Sequence, residues 1–508
     1  MEYVSTRGKA EKVSSAQAVL QGIAEDGGLF VPTEIPKADA AFLESLTGLS
    51  YAERAKKVLS LFLTDYTEEE IARSIEGAYG GGKFDDAAVA PVKSVGELSV
   101  LELWHGPTSA FKDMALQLLP RLLSEALQKT GETKETLILV ATSGDTGKAA
   151  LAGFADVPQT KIMVFYPDGG VSDMQRLQMV TQEGGNVCVE AVKGNFDDAQ
   201  TGVKEIFGDG AFAAKLDGEG VRLSSANSIN WGRLAPQIVY YFSAYADLVK
   251  AGTIKNGDPI NFTVPTGNFG NILAGFYARQ MGLPIGKLVC ASNQNNVLTD
   301  FLQTGYYDKN REFFKTISPS MDILVSSNVE RMLYHMTGDP SGVRGWMEAL
   351  ATEGRYDAGV GMIQRFQNYF WAGWADDDKT KETIREVFEA EQYVLDTHTA
   401  VAWAVANEYR RRTHDERPMV VVSTASPYKF PGSVLEALGE DSTGDPFALL
   451  DRLEKKSGTT APKGLASLKG AKEIHEGSCE KDKMRDAVLA FAKKSKLAFF
   501  IFWQDFSF

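Results

Sequence analysis

The chain has 508 residues, 44% hydrophobic and 24% charged, with a formal net charge of −14. That length is too great for one compact core, and the composition excludes extensive disorder. The acidic balance excludes general nucleic-acid binding, and an anionic ligand would have to be met by a few local donors.

In chain order, the first ninety or so residues read as helical. An amphipathic helix is predicted from about Ser15 in "SAQAVLQGIAEDGGLFVP", closed by Gly27 and Gly28, with an extended run to Pro32. "YAERAKKVLSLFL" and "TEEEIARSIEGAYGGG" predict two more helices, the second opened by a threonine and acids that suit the helix dipole. Gly80 to Gly82 end this region. Short β-rich runs then alternate with helical stretches: "LSVLELW", "TLILVA", "KIMVFYP", "NVCVEAV", "PINFTVP", "KLVCAS" and "PMVVVSTA" are the strands. Such alternation predicts parallel, doubly wound α/β sheets, whose ligands sit where strands turn into helices. The tail "KLAFFIFWQDFSF" is apolar but short and is expected to dock on the surface.

Cys188, Cys290 and Cys479 are scattered, and the five histidines lack metal-ligand spacing, so neither a disulfide framework nor a metal site is expected. The N-terminus has no secretory core and no run reaches membrane-span length, so the expectation is a cytoplasmic protein with no membrane partner.

Five turns carry the chemistry. "TSGDTGK" (142–148) looks like a phosphate loop, but Thr142 and Ala149 stand where that motif needs a glycine and a magnesium-binding hydroxyl. Its hydroxyls at Thr142, Ser143 and Thr146, with N–H groups at a helix start, suit a carboxylate instead. Asp145 would repel that carboxylate, so it faces a protonated nitrogen or phenolic oxygen, or caps the helix. In "TGNFGN" the glycines let the backbone of Gly267, Asn268, Phe269, Gly270 and Asn271 form a nest for one phosphate, unless the run is a glycine-rich turn with no ligand. In "HGPTSAFKDMALQLLP", Lys112 falls near the first turn of an apolar helix, where desolvation and the dipole favour a neutral amine able to attack an aldehyde. The alternative is a lysine that snorkels to water. "ANSINWGR" brings Asn227 and Arg233 near enough for a second phosphate fork, unless Arg233 is a surface residue. "STASPYKF" ends a buried strand in hydroxyls at Ser423, Thr424 and Ser426 that suit a ring nitrogen or a strand end.

As a set, "HGPTSAFKDMALQ", "TSGDTGKAA", "GNFDDAQ", "ANSINWGR", "PTGNFGNILAG" and "STASPYKF" resemble the threonine synthases, in particular their longer fungal and bacterial subgroup. The resemblance runs from about Tyr3 to Phe430 and implies the tryptophan-synthase β-like fold (fold type II), two doubly wound α/β sheets with a helical N-terminal domain. It implies a mainly helical domain over 1–92, a catalytic region of two interleaved α/β domains over 93–460, and a helical extension and tail over 461–508. It further implies pyridoxal 5′-phosphate as cofactor, carried by Lys112 as a Schiff base, with its phosphate on Gly267 to Asn271 and its ring nitrogen near Thr424. Ser143, Asp145 and Thr146 match the loop for the substrate carboxylate and the cofactor's phenolic side, and Asn227 and Arg233 the grip on the substrate phosphate. The implied reaction turns O-phospho-L-homoserine and water into L-threonine and phosphate, in a monomer or homodimer. The alternative is another enzyme of the same fold, such as a serine/threonine dehydratase, which would not need the Asn227–Arg233 fork. Two positions depart from the pattern: Ser426 stands where the subgroup often has histidine, and Lys148 where a small residue is common. Lys148 is expected to serve a substrate anion or to point to solvent.

Overall fold

Two parallel sheets organise the chain in a computed structural model that describes residues 1–142 and 144–494. The larger has six strands, in the order Phe370–Trp374, Ile285–Ser292, Ile260–Pro265, Met419–Ser423, Leu98–Glu102 and Val92–Val95. All its pairs are parallel except the last, a hairpin turned through Gly96. The smaller has five strands, all parallel, in the order Gly477–Glu480, Val187–Lys193, Thr160–Pro167, Glu135–Ala141 and Val221–Ser224. Strands Ile260–Pro265 and Thr160–Pro167 are buried at every residue, as strands covered on both faces must be.

The local signals act largely as read. Helices Tyr51–Ser60 and Glu68–Tyr79 open with capping boxes, Ser50 with Glu53 and Thr67 with Glu70. The first helix, Ser15–Gln21, is shorter than predicted. It stops at Gly22, whose φ of 74° turns the chain out, and not at Gly27 and Gly28. The stretch after Lys112 breaks into helices Asp113–Leu116 and Leu119–Thr130, because Pro120 lacks an N–H and fits only a first helical turn. Residues from 461 on, expected to be helical, also supply strand Gly477–Glu480, and helix Met484–Lys493 buries Met484, Val488 and Phe491 in the core of the smaller sheet. The aromatic tail lies outside the described residues. Among the described residues no helix is long and apolar enough to cross a membrane.

Helix Trp231–Lys250 ties the N-terminal helices to the sheets and is buried on nearly every side. Trp231 is enclosed by the rings of Tyr3, Phe62 and Tyr277 at 5.2, 5.5 and 5.5 Å. From helix Tyr51–Ser60, Arg54 donates to Ser243 Oγ at 2.8 Å and pairs with Asp247 at 2.7 Å. The helix that presents Arg233 is therefore fixed at both ends.

A second clamp holds the connection between the two regions. His105 bridges Asp85 at 2.5 Å and Glu102 at 2.8 Å, while the Tyr393 hydroxyl donates to Glu102 at 2.7 Å. Burial opposes a charge on His105, but the two carboxylates outweigh it and push the imidazole up to about 9. The folded value lies above the unfolded ~6.5, so this contribution to stability is complete below pH ~6.5 and is lost as pH rises through about 9. Denaturant midpoints measured from about pH 6 to about pH 10 should fall more steeply in the wild type than in His105→Gln, and parallel curves would remove the clamp from the stability account.

Candidate active site

The loops that follow strands Leu98–Glu102, Glu135–Ala141, Ile260–Pro265 and Met419–Ser423 meet around Lys112, at the carboxyl ends where such sheets bind ligands. Lys112 is positioned by backbone zipped to the strand-end loop. Phe111 N–H donates to the Thr424 carbonyl at 2.8 Å, Ser426 N–H to the Ser109 carbonyl at 3.1 Å, and Ala110 bridges Ala425. Ser109 stands at φ 57°, a conformation that costs energy in a residue with a Cβ and is held by these bonds and by full burial. Asp113 closes the turn, accepting the N–H and the hydroxyl of Thr108, both at 2.8 Å.

The Lys112 side chain is 12% exposed, so it does not snorkel to water. Its Nζ donates to Ser320 Oγ at 3.2 Å and lies 3.8 Å from Asp145 Oδ2. Burial, helped by the charges of Lys429 and Arg233 and opposed by Asp145, lowers Lys112 to about 8.

Asp145 begins helix Asp145–Phe154 but does not cap it. The cap is Gly144, and the Thr142 hydroxyl accepts the N–H groups of Gly144 and Gly147, each at 3.0 Å. Asp145 turns to the amines instead, with Lys429 Nζ at 2.8 Å on Oδ1. Gln175 donates to it at 3.1 Å and Ser320 at 3.4 Å. Burial penalises its charge, yet Lys429 and Lys112 hold the carboxyl far below the usual carboxylate range. Thr146 is half-buried in the same first turn, and Ser143 lies outside the described residues.

The glycine turn leads into helix Gly270–Met281, whose start has no side-chain cap and follows Phe269 at φ 61°. Its first N–H groups are therefore available to an anion. A Cβ on Gly267 would meet the Ser320 carbonyl at 2.6 Å, so glycine is required for the turn to lie this close to the Lys112 site. Tyr240 and Tyr241 donate to Asn271 Oδ1 at 2.7 and 2.8 Å, and its buried Nδ2, a donor, has no partner. Asn268 is exposed, and its carbonyl accepts from the Asn328 side chain at 3.0 Å.

Arg233 is buried, not a surface residue: Nη1 donates to the Ala226 carbonyl at 2.6 Å and Nε has no partner. Among the described residues no carboxylate pairs with it, and burial lowers it to about 10. Asn227 is exposed at the mouth of the same loop, and no bond between the two residues forms the fork. Thr424 is buried beside Phe111. Ser426 spends its hydroxyl on the Tyr428 N–H at 3.3 Å. Lys148 does not face solvent; it is buried and donates to Gln182 at 2.6 Å, and burial, opposed by the charge of Asp113 and helped by that of Lys429, lowers it to about 8.

Ser320, Lys429, Asn328 and Arg331 escaped the sequence reading. Lys429 stands inside the quoted run "STASPYKF", and its neighbours alone gave no reason to single it out. Asn328 Nδ2 reaches the carbonyls of Ser228 at 3.2 Å and Asn268 at 3.0 Å. Arg331, fully buried, donates to Asn328 Oδ1 and the Ile229 carbonyl, both at 2.6 Å, and to the Phe30 carbonyl at 3.0 Å.

This fold and this site are those of a pyridoxal-phosphate-dependent enzyme, and the family model "Pyridoxal-phosphate dependent enzyme" matches residues 93–356. The models "Threonine synthase N terminus" and "Threonine synthase, C-terminal" match residues 2–79 and 399–471. The chain is 40% identical to threonine synthase of Pseudomonas aeruginosa over 94% of its own length and 98% of that protein's. Its similarity to the human threonine synthase-like 1 is 42% over 84% of the chain, which spans 59% of that relative's length. The structure of PLP-bound threonine synthase from Brucella melitensis superposes with a TM-score of 0.87 at 38% identity, covering 97% of this chain and 100% of that one. The chain belongs to the threonine synthase family.

The residues fit the cofactor. An uncapped helix start with an orphaned amide suits its phosphate, and one residue, Ser320, touches both that turn and the amine of Lys112. Gly267→Ala drives a Cβ into the Ser320 carbonyl, and overpacking of about 1–3 kcal/mol should weaken cofactor binding about 5- to 150-fold in an absorbance titration. Unchanged affinity would place the phosphate elsewhere.

Proposed function

We propose that this chain converts O-phospho-L-homoserine and water into L-threonine and inorganic phosphate. The observation that carries the reading is Arg233, a buried guanidinium with an unpartnered Nε whose charge is felt at Lys112. A buried guanidinium with no carboxylate partner and an Nε that no carbonyl satisfies calls for an anionic ligand. The glycine turn supplies one anion site, for the cofactor, and Arg233 supplies a separate one, for a substrate that carries its own phosphate. A serine/threonine dehydratase would have no use for the second.

Pyridoxal phosphate, when bound, supplies an electron sink for a carbanion next to the substrate nitrogen. Lys112 would hold it, Gly267 to Asn271 would donate to its phosphate, and Thr424 would lie on its ring-nitrogen side. The remaining work falls to side chains. Lys112, with its lowered proton affinity, is the base that takes and returns protons at neighbouring substrate carbons near neutral pH. Asp145, kept ionised by Lys429, orients that amine and the phenolic side of the cofactor. The first turn of helix Asp145–Phe154, with Thr146 and Ser143, receives the substrate carboxylate. Arg233 meets the substrate phosphate as bound and as the departing group, with Asn227 at the mouth. Its three unpaired thiols suit the cytoplasm.

Purified protein supplied with pyridoxal phosphate should release threonine and phosphate in equal amounts from O-phospho-L-homoserine. Deamination of L-serine or L-threonine in its place would identify a dehydratase. Arg233→Ala should lower kcat/KM by about 10²–10³-fold, with the absorbance of bound cofactor unaltered. Arg233→Lys, which keeps the charge and loses the planar fork, should fall between the two.

A further inference from the structure

Ser320 lies in the short 3-10 turn Pro319–Met321, far in sequence from every motif of the site, and is braced on both sides. On one side its N–H donates to His398 Nε2 at 3.1 Å, and His398 Nδ1 bonds Asp396 at 3.0 Å. An Nε2 that accepts an N–H carries no proton, so Nδ1–H is the donor to Asp396. Asp396 is itself buried and caps helix Thr397–Thr413. On the other side, Asp322 accepts from Thr316 at 2.7 Å, Asn293 at 2.8 Å and Asn295 at 3.0 Å. The turn is thus anchored on both sides, and its side chain at the site is the Ser320 hydroxyl.

We propose that Ser320 is a positioning residue for Lys112, its hydroxyl accepting from the free amine and donating to Asp145 so that the amine stays in line with its work. The inference rests on the assignment of Lys112 as the cofactor-bearing lysine. Around Lys112 the charged groups are Asp145 at 3.8 Å, with Lys429, Arg233 and Asp113 further off. Ser320 is its hydrogen-bond acceptor at 3.2 Å and is closer than the carboxylate. A hydrogen bond to an ammonium favours the protonated form, so loss of the hydroxyl makes the amine easier to deprotonate. It also frees a long side chain to wander, and small displacements of a reacting group cost rate steeply.

The test reads the amine directly. Full-length protein freed of cofactor is treated with fluorodinitrobenzene across a pH series, and the label on Lys112 is quantified by peptide mass mapping. In Ser320→Ala the midpoint of labelling should move down by about one pH unit, and Ser320→Thr should restore it. His398→Leu, which removes the tether of the turn, should move it in the same direction. In cofactor-loaded protein, Ser320→Ala should lower kcat about 10- to 100-fold with KM within about twofold. A wild-type labelling midpoint or a wild-type kcat in Ser320→Ala overturns the proposal, and a wild-type midpoint in His398→Leu overturns the tether. Borohydride reduction that fixes the cofactor on another lysine would sink the proposed function, whereas the labelling profile reports on Ser320 alone.

Discussion

The carboxylate of Asp145, buried between the ammonium groups of Lys429 and Lys112, is the constraint to which the rest of the site answers. A lone carboxylate in that interior would protonate, and a single close lysine is enough to prevent it. Lys429 fills that role at 2.8 Å and also donates to the Thr108 carbonyl at 3.0 Å, so one side chain joins three of the four loops around Lys112. Lys112 is left at 3.8 Å, attracted by a charge already largely neutralised and repelled by Lys429 and Arg233. Desolvation then prevails, and the amine has a reduced hold on its proton.

Around this core the chain is drawn together by buried cations that are satisfied by dipoles. Arg331 donates to carbonyls of Phe30 and Ile229 and to the amide of Asn328, which in turn spans Ser228 and Asn268. The glycine turn, the loop that leads to Arg233 and the N-terminal strand Phe30–Pro32 are thereby fixed to one another. The N-terminal region is thus part of the scaffold of the site, and the Arg54 link to helix Trp231–Lys250 reinforces it.

What could be read in advance was whatever the local sequence dictates. The glycine turn at 267–271, the threonine-and-acid start of helix Glu68–Tyr79 and the alternation of strands with helices all rest on neighbouring residues, and each stands where it was read. Errors arose where a local pattern has two solutions. Helix Ser15–Gln21 ended at the first glycine able to turn out, and Lys148, for which solvent was one of two expected directions, folded inward to Gln182. What could not be read depends on contacts across the chain. Ser320 meets Lys112 over a separation of 208 residues, in a stretch whose composition marks only a loop. Lys429 becomes a partner of Asp145 only once the two sheets bring their strand ends together. Arg331 carries no motif, because two of its three partners are backbone carbonyls that any sequence would supply and the third is a lone asparagine amide.

The two proposed anion sites differ in a way that the chemistry of their ligands requires. At the glycine turn the available donors are backbone N–H groups and the Asn271 amide, with no formal charge among the side chains of the turn itself. A phosphate on a cofactor joined to Lys112 is already held by a bond, so dipoles need only orient it. The phosphate of a substrate has no such tether and must be drawn from solution into a protein of net charge −14. A full positive charge is needed there, and in the proposed reading Arg233 would supply it, with no carboxylate among the described residues paired to it. Because Nη1 is committed to the Ala226 carbonyl, the guanidinium would keep its orientation as a substrate phosphate enters and leaves.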